Sequence, residues 1–228
     1  MPKRYGIKDK DLVVSHIITL VMTGRLRGGD RIDRNEIAGD LGLSRVPVQE
    51  AVVQLEHDGI LCTRYHRGAY VEPFDEAAVR EHHELYGVLT GIASARAAAD
   101  PAPSILPQLS NALQSMRTAK DAKAFHQASV IYRRTVNKAY AGPRLRAAIR
   151  GSLSFAPAEF WIAHPRAKSD FLPGFEDETA AIERHDAAAA RELCARRGGE
   201  MAAVMLAELR RRGVLTGVQT PSDSANSP

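Results

Sequence analysis

Two groups of polar residues in this sequence have types and spacing suited to recognising another molecule. Ser44 and Arg45 open the run Ser44-Arg45-Val46-Pro47-Val48-Gln49-Glu50, and Arg64, His66 and Arg67 crowd together further on. A guanidinium can bind guanine O6 and N7 through paired hydrogen bonds, and a side-chain amide can do the same to adenine N6 and N7. Arg45 and Gln49 lie one helical turn apart on one face. If that helix enters the major groove of DNA, both side chains meet base edges while the positive helix end meets phosphate. Arg64, His66 and Arg67 can then reach phosphates or the minor groove. A single exposed arginine is ordinary solvated surface. The elements that position these side chains decide between the two readings.

Leu12, Val13, His16, Ile17, Leu20 and Val21 recur with helical period and stop at Gly24, which predicts a first helix. A short second helix is predicted over 35–41, with Ile37, Ala38 and Leu41 inward and Gly42 as a left-handed cap. After a sharp turn, Ser44 is an N-cap candidate, and Pro47 is tolerated in the first turn of a third helix over about 45–57. Val48, Ala51, Val52 and Leu55 form its apolar stripe. Asp58-Gly59 ends it, and the strand-like runs 60–64 and 69–71 flank His66-Arg67-Gly68 as a hairpin. Three helices and a two-stranded wing place Ser44 and Arg45 at the start of the second helix of a helix-turn-helix.

Near residue 74 the chain changes character. Alanine-rich amphipathic stretches predict about six helices, roughly 75–99, 103–119, 121–140, 143–163, 171–184 and 187–212. Pro101, Asp121, Gly142-Pro143, Pro165, Pro173-Gly174 and Asp186 lie at or near the breaks. The predicted fold is mainly α: a winged helix-turn-helix over 1–74, an all-helical antiparallel bundle over 75–218, and a flexible polar tail over 219–228.

Composition removes several other classes. At 44% hydrophobic and 25% charged residues, the chain can bury a core and is neither disordered nor fibrous. Its longest strongly apolar run, 12–22, is too short to span a bilayer, and charges at Lys8, Asp9, Lys10 and Asp11 precede it, unlike a secretory leader. The expected location is cytoplasmic, with no membrane partner. Cys62 and Cys194 have no CxxC spacing or nearby histidine partner and read as reduced core thiols. Net charge is +4, and residues 1–74 carry 11 basic against 10 acidic groups. Bulk charge therefore does not decide nucleic-acid binding; local placement does. An enzyme would need a nucleophile with a base or a metal set, and no convincing spacing for either occurs, so no catalytic residue and no cofactor is expected.

The motifs carry a resemblance. Gly24-x-Leu26-x-Gly28-Gly29-Asp30-x-Ile32, Glu36-Ile37-Ala38-x-x-Leu41-Gly42, the run from Ser44 through Leu55 to Gly59-Ile60, and Gly68-x-x-Val71 together resemble the GntR family of bacterial transcription regulators. The all-helical second half is similar in outline to that family's FadR-like branch, with its six-helix, VanR-like FCD effector domain. The resemblance implies a homodimeric repressor that reads a palindromic double-stranded DNA operator and responds to a small metabolite. It also implies DNA contacts from Arg34, Asn35, Ser44, Arg45, Val46, Gln49, Arg64, His66, Arg67 and Gly68. Gln49 and Asn35 stand where the family usually or often has arginine, which implies a different operator or weaker binding. Arg34 points about 100° away from Asn35 around a helix.

FCD domains often hold a metal with one Asp and three His. Counting along the resembling helices puts Ser129, Arg133, Phe175 and Arg197 at those places, so the implied metal set is lost. A guanidinium can hold a carboxylate without a metal. This leaves Tyr86, Ser129, Arg133 and Arg197 as candidates for an anionic effector such as a small organic acid. Two alternatives stay open: the arginines pair with carboxylates across a helix interface, or the protein is a ligand-independent DNA-binding protein with a degenerate effector pocket. His82, His83, His126 and His164 read as surface or hydrogen-bonded polar side chains, and Phe160 and Trp161 as core.

Overall fold

The computed structural model describes residues 8–153 and 155–215. The tail expected over 219–228 and the first residues of the chain lie outside them. The N-terminal part comprises α1 (Asp9–Met22), α2 (Arg34–Leu41), α3 (Arg45–His57), β1 (Leu61–Arg64) and β2 (Gly68–Val71). Asp33 caps α2 by accepting from the Asn35 and Glu36 amides, and Gly42 ends it with φ 64°. That left-handed residue makes the tight turn into α3, where an L side chain would be strained. Val13, Ile17, Val48, Val52 and Leu55 are buried between the helices, joined by Leu61, Ala69 and Val71 from the wing.

The two strands pair antiparallel with Leu61 opposite Val71 and Arg64 opposite Gly68. On the far edge of β2, the loop before α2 adds hydrogen bonds from Ile32 N to Ala69 O and from Val71 N to Asp30 O. The wing is therefore held from both sides. Glu56, near the end of α3, accepts from the Thr63 amide and hydroxyl and ties β1 to that helix.

The C-terminal part is a helical bundle: α4 (Glu76–Ala99), α5 (Ile105–Thr118), α6 (Ala122–Tyr140), α7 (Pro143–Ser152), α8 (Ala158–Ile162), α9 (Ala167–Glu183) and α10 (Ala187–Arg211). Among the described residues, seven helices stand where the sequence predicts six. The helix expected over 143–163 is divided, because Pro157 takes an extended conformation and disfavours helix at the residue before it. Phe160 and Trp161 consequently sit in a short helix of their own. The break expected at Pro173-Gly174 does not occur, and α9 runs through it. A proline inside a helix costs about 3 kcal/mol. The buried face of α9, with Phe171, Phe175, Thr179 and Ile182, outweighs that cost by packing into the bundle.

The closest approach in the bundle is between α4 and α10. A Cβ on Gly198 would lie 2.4 Å from the His83 carbonyl oxygen, and one on Gly87 or Gly91 would lie 3.0 Å from the α10 backbone. The pairing of 87 with 195 and of 91 with 191 runs the helices antiparallel, nearly backbone to backbone. On these grounds Gly198→Ala is expected to destabilise the protein by about 3 kcal/mol, since neither backbone can yield locally. Gly199→Ala, which meets nothing within 4 Å, is expected to be neutral or stabilising by up to about 1 kcal/mol. Urea unfolding of both variants checks this, and equal effects would overturn the role given to the α4–α10 contact.

Candidate DNA-reading face and effector cavity

The first site is built on α3. Ser44 takes the N-cap position with extended backbone, but its hydroxyl makes no capping hydrogen bond, in contrast to the expectation. It stays exposed beside Arg45, with Val46 and Gln49 also exposed on the first turns. On the wing, His66 adopts φ 55° and Gly68 φ 99°, which turns the hairpin tip outward. The left-handed φ favours glycine at Gly68, and a Cβ there would also lie 3.2 Å from Arg31 Nε, which would have to shift. The Arg64 guanidinium lies 4.4 Å from the Tyr70 ring centroid, and the Tyr70 hydroxyl donates to the Arg67 carbonyl. Both contacts stiffen a tip that carries Arg64, His66 and Arg67 exposed. Asn35 is exposed, whereas Arg34 is half-buried with its Nε lacking a partner.

The second site is a cavity of about 530 Å³ within the helical bundle, walled by α4, α6, α7, α8, α9 and α10. Tyr86, Ser129, Arg133, Phe175 and Arg197 all lie on its wall. Ser129 donates to the His126 carbonyl, and the Arg197 guanidinium lies 3.9 Å from the Phe175 ring centroid. Arg133 and Arg197 do meet a carboxylate across a helix interface: Glu178 Oε2 accepts from Arg133 at 2.5 Å and from Arg197 at 2.6 Å. Ser94 donates to Glu178 Oε1 at 2.6 Å and accepts from Arg133 at 2.9 Å. Burial alone would raise the Glu178 carboxyl, but the two guanidiniums outweigh it and bring it down to about 2. The cluster is therefore a carboxylate between two cations, with one positive charge in excess.

Sequence reasoning missed Glu178. A signal existed, since Phe171, Phe175, Glu178 and Ile182 form one helical stripe and put a carboxylate among aromatic core positions. It also missed Arg134, Lys138, Arg146 and Arg150, which line the outer part of the same cavity. The implied metal does not fit this site. A hydroxyl, two guanidiniums and a phenyl ring offer a cation no adequate donor set, and among the described residues no group of three His, Cys, Asp or Glu is placed to hold one.

Two of the histidines, His82 and His83, depart from expectation. His83 is buried and neither ring nitrogen has a hydrogen-bond partner, while His82 stacks on Phe155 at 4.0 Å. Buried polar groups are rarely left so, and His83 lines the cavity. His164 is hydrogen-bonded to Asp170 at 2.7 Å, and His126 is half-buried on the cavity wall. Trp161 is both core and cavity wall. Cys194 is a buried thiol beside Ser94, whereas Cys62 is only half-buried in the wing.

A helix-turn-helix whose second helix presents a free, polar N-terminal turn beside a stiff two-stranded wing defines a winged helix-turn-helix transcriptional regulator. Residues 10–71 match the model of the bacterial regulatory proteins of the gntR family. An HTH-type transcriptional regulator of Mycobacterium tuberculosis is 58% identical over 215 residues, covering 94% of this chain and 88% of that protein. The chain belongs to the gntR family of bacterial transcriptional regulators. A Paenarthrobacter nicotinovorans protein named as a transcriptional repressor of a D-xylose utilization operon is 31% identical over 126 residues, covering 54% of this chain and 55% of that one. The solved structure of E. coli McbR/YncC has a TM-score of 0.56 and 18% identity, covering 91% of this chain and all of that one. That likeness concerns the fold. Among the described residues, no helix is long and apolar enough to cross a membrane.

Burial holds His82 down at about 3 and His83 at about 4, so both are neutral in the folded protein at neutral pH. The unfolded chain protonates both near 6.5, so it binds more protons than the folded state between about pH 4 and 6.5. Stability is therefore full above that window and lost as pH falls through it. By pH 5 the loss is expected to be about 2 kcal/mol for each histidine. Denaturant unfolding at pH 7.5 and 5.0 checks this: His82→Gln/His83→Gln should lose less stability on acidification, and an unchanged loss would overturn the assignment.

Proposed function

We propose that the protein is a homodimeric, cytoplasmic repressor whose affinity for a palindromic operator is controlled by a small anionic metabolite held in the helical cavity. In this reading residues 1–74 bind DNA, 75–218 form a FadR-like, FCD-type effector and dimerisation domain, and 219–228 are a tail. The observation that carries it is the cavity itself: about 530 Å³ in size, with arginines at its base and no Asp or Glu on its wall among the described residues. Its volume is that of a small-molecule site, and its charge selects an anion. The name of the P. nicotinovorans relative supports repression as the direction of control.

On the DNA side, Arg45 forks to guanine, Gln49 to adenine, and Val46, 66% exposed, meets a thymine methyl group. The uncapped Ser44 hydroxyl and Asn35 hold phosphate, and Arg64, His66, Arg67 and Gly68 bring the wing against the backbone or minor groove. Arg34, half-buried, is left a phosphate contact at most.

Arg45→Ala is expected to weaken binding to the protein's own promoter DNA by about 1–3 kcal/mol, with unfolding unchanged. A gel-shift titration at fixed salt checks this, because affinity for phosphate falls steeply as salt rises. A folded Arg45→Ala protein that retains the DNA as tightly as wild type would defeat the assignment. Gln49→Arg should move base preference toward guanine at one symmetric operator position, as read by binding-site selection. Identical selected sequences would place Gln49 against phosphate or solvent.

A further inference from the structure

The outer part of the cavity carries a charge pattern that its base does not explain. Arg134 and Lys138 lie one turn apart on α6, and Arg146 and Arg150 lie one turn apart on α7. Like charges at this spacing repel and destabilise a helix. Two such pairs on consecutive helices face one opening, and the Arg146 guanidinium donates to the Lys138 carbonyl across the junction. Among the described residues none of the four forms an ion pair, although exposed arginines elsewhere on the bundle do, as Arg117 with Glu176 and Arg210 with Glu76. The interior below this collar is different. Phe125, Ile149, Trp161, Phe171 and Phe175 make it apolar, and the cavity-lining residues with buried unpartnered polar atoms are Arg197 at Nε, His83 at both ring nitrogens and Asn137 at Oδ1.

We propose that the collar is a second anion subsite, and that the ligand joins an apolar body to a phosphate-class group carrying more than one negative charge. The apolar body lies against the aromatic wall, and the phosphate group sits among Arg134, Lys138, Arg146 and Arg150. The base of the cavity cannot take that group. Arg133 and Arg197 already share Glu178, which leaves a single excess charge there. Four solvent-reaching cations with no carboxylate partner suit a dianion, whose binding removes their mutual repulsion. A monocarboxylate would satisfy the base and leave the collar uncompensated. The proposal rests on the cavity being the effector site, and it adds the chemical class of what enters.

The test uses the full-length protein with hexyl phosphate, hexanoate and inorganic phosphate as probes. Binding is measured by calorimetry and by emission of Trp161, the sole tryptophan, which lines the cavity. Hexyl phosphate is expected to bind at least about tenfold more tightly than hexanoate or inorganic phosphate, the value of one charge-assisted hydrogen bond or more. Arg146→Gln/Arg150→Gln, exchanges at the cavity mouth, should weaken hexyl phosphate about tenfold or more and leave hexanoate unchanged. Equal affinity for hexyl phosphate and hexanoate, or equal loss of both in the variant, would overturn the collar while leaving the cavity as an effector site. Inorganic phosphate binding as tightly as hexyl phosphate would overturn the apolar body. If the variant lost promoter binding without ligand, the collar would be a DNA phosphate contact and the proposal would fail. No binding of any probe, with Trp161 emission unmoved, would overturn the cavity reading together with this one.

Discussion

A single buried carboxylate organises the helical half of this molecule. Glu178, on α9, binds Arg133 from α6 and Arg197 from α10, and Ser94 from α4 donates to its other oxygen. Four helices, α4, α6, α9 and α10, thus meet at one polar point inside an apolar bundle. Stripping water from these charges is costly, and the gain in attraction need not exceed that cost. The geometry is nonetheless directional, because each guanidinium must keep a fixed angle to the same oxygen. Removing the carboxylate would leave two buried like charges facing each other, so alternative packings of α6 against α10 are penalised. The cluster fixes arrangement more than it adds stability.

That arrangement explains why the cavity exists. Gly198, Gly87 and Gly91 let α4 and α10 touch along their backbones, so these two helices form a thin, rigid wall. The Glu178 cluster holds α6 and α9 at a set distance from that wall, and α7 and α8 close the remaining side only partly because Pro157 breaks the helix between them. The result is a pocket bounded by stiff elements on one side and by short helices on the other. Helix α4 also starts at Glu76, five residues after the wing ends at Val71, and Arg210 on α10 pairs with Glu76 at 2.5 Å. A ligand that moved the α4–α10 wall would therefore act on the root of the DNA-reading half through a short, braced connection. This is the physical content available to an effector-controlled reading, and it asks for one element with two positions rather than a path of side chains.

The two halves of the chain differ in how much of them the sequence discloses. In the first half the determinants are local. Asp33 and Gly42 bracket α2, Ser44 and Pro47 start α3, Asp58-Gly59 stops it, and the alternation around His66-Arg67-Gly68 makes a hairpin, so element order and the face presented by Arg45 and Gln49 can be read directly. In the second half the determinants are tertiary. Pro173 reads as a helix break, yet the packing of Phe171, Phe175 and Ile182 overrides it. Pro157 is a weaker warning in the sequence and yet divides a helix. Counting along resembling helices singles out Arg133 and Arg197 but is silent on Glu178, because a pattern built around metal ligands does not ask what else would balance two guanidiniums. His83 is similarly opaque: nothing in its neighbours announces that Gly198 will press its backbone against α10 and bury the ring without a partner.

Arginines, not the metal set that the resemblance implied, stand at the base of the cavity, and this bears on what the cavity can discriminate. A divalent cation offers open coordination positions and accepts any small oxygen donor that reaches it. The Arg133–Glu178–Arg197 cluster offers instead one excess charge and donors of fixed direction, with Arg197 Nε the buried atom of these two guanidiniums that is left unsatisfied. Such a base binds one oxygen well and a second poorly, so it cannot by itself hold a highly charged ligand. His83 beside it holds two unpartnered ring nitrogens without adding charge, since burial keeps the His82 and His83 rings unprotonated. In the proposed function, selectivity then comes from the apolar wall, which sorts ligands by the shape of the body, and from the cations at the mouth, which sort them by what that body carries outward. The cations lie on α6 and α7 and the apolar wall on α6, α7, α8 and α9, away from the α4–α10 wall that leads to the DNA-reading half. In the proposed function, recognition of the ligand and transmission of its presence fall largely to different helices, joined by the contacts that meet at Glu178 and by the direct packing of α4 on α6 and α7.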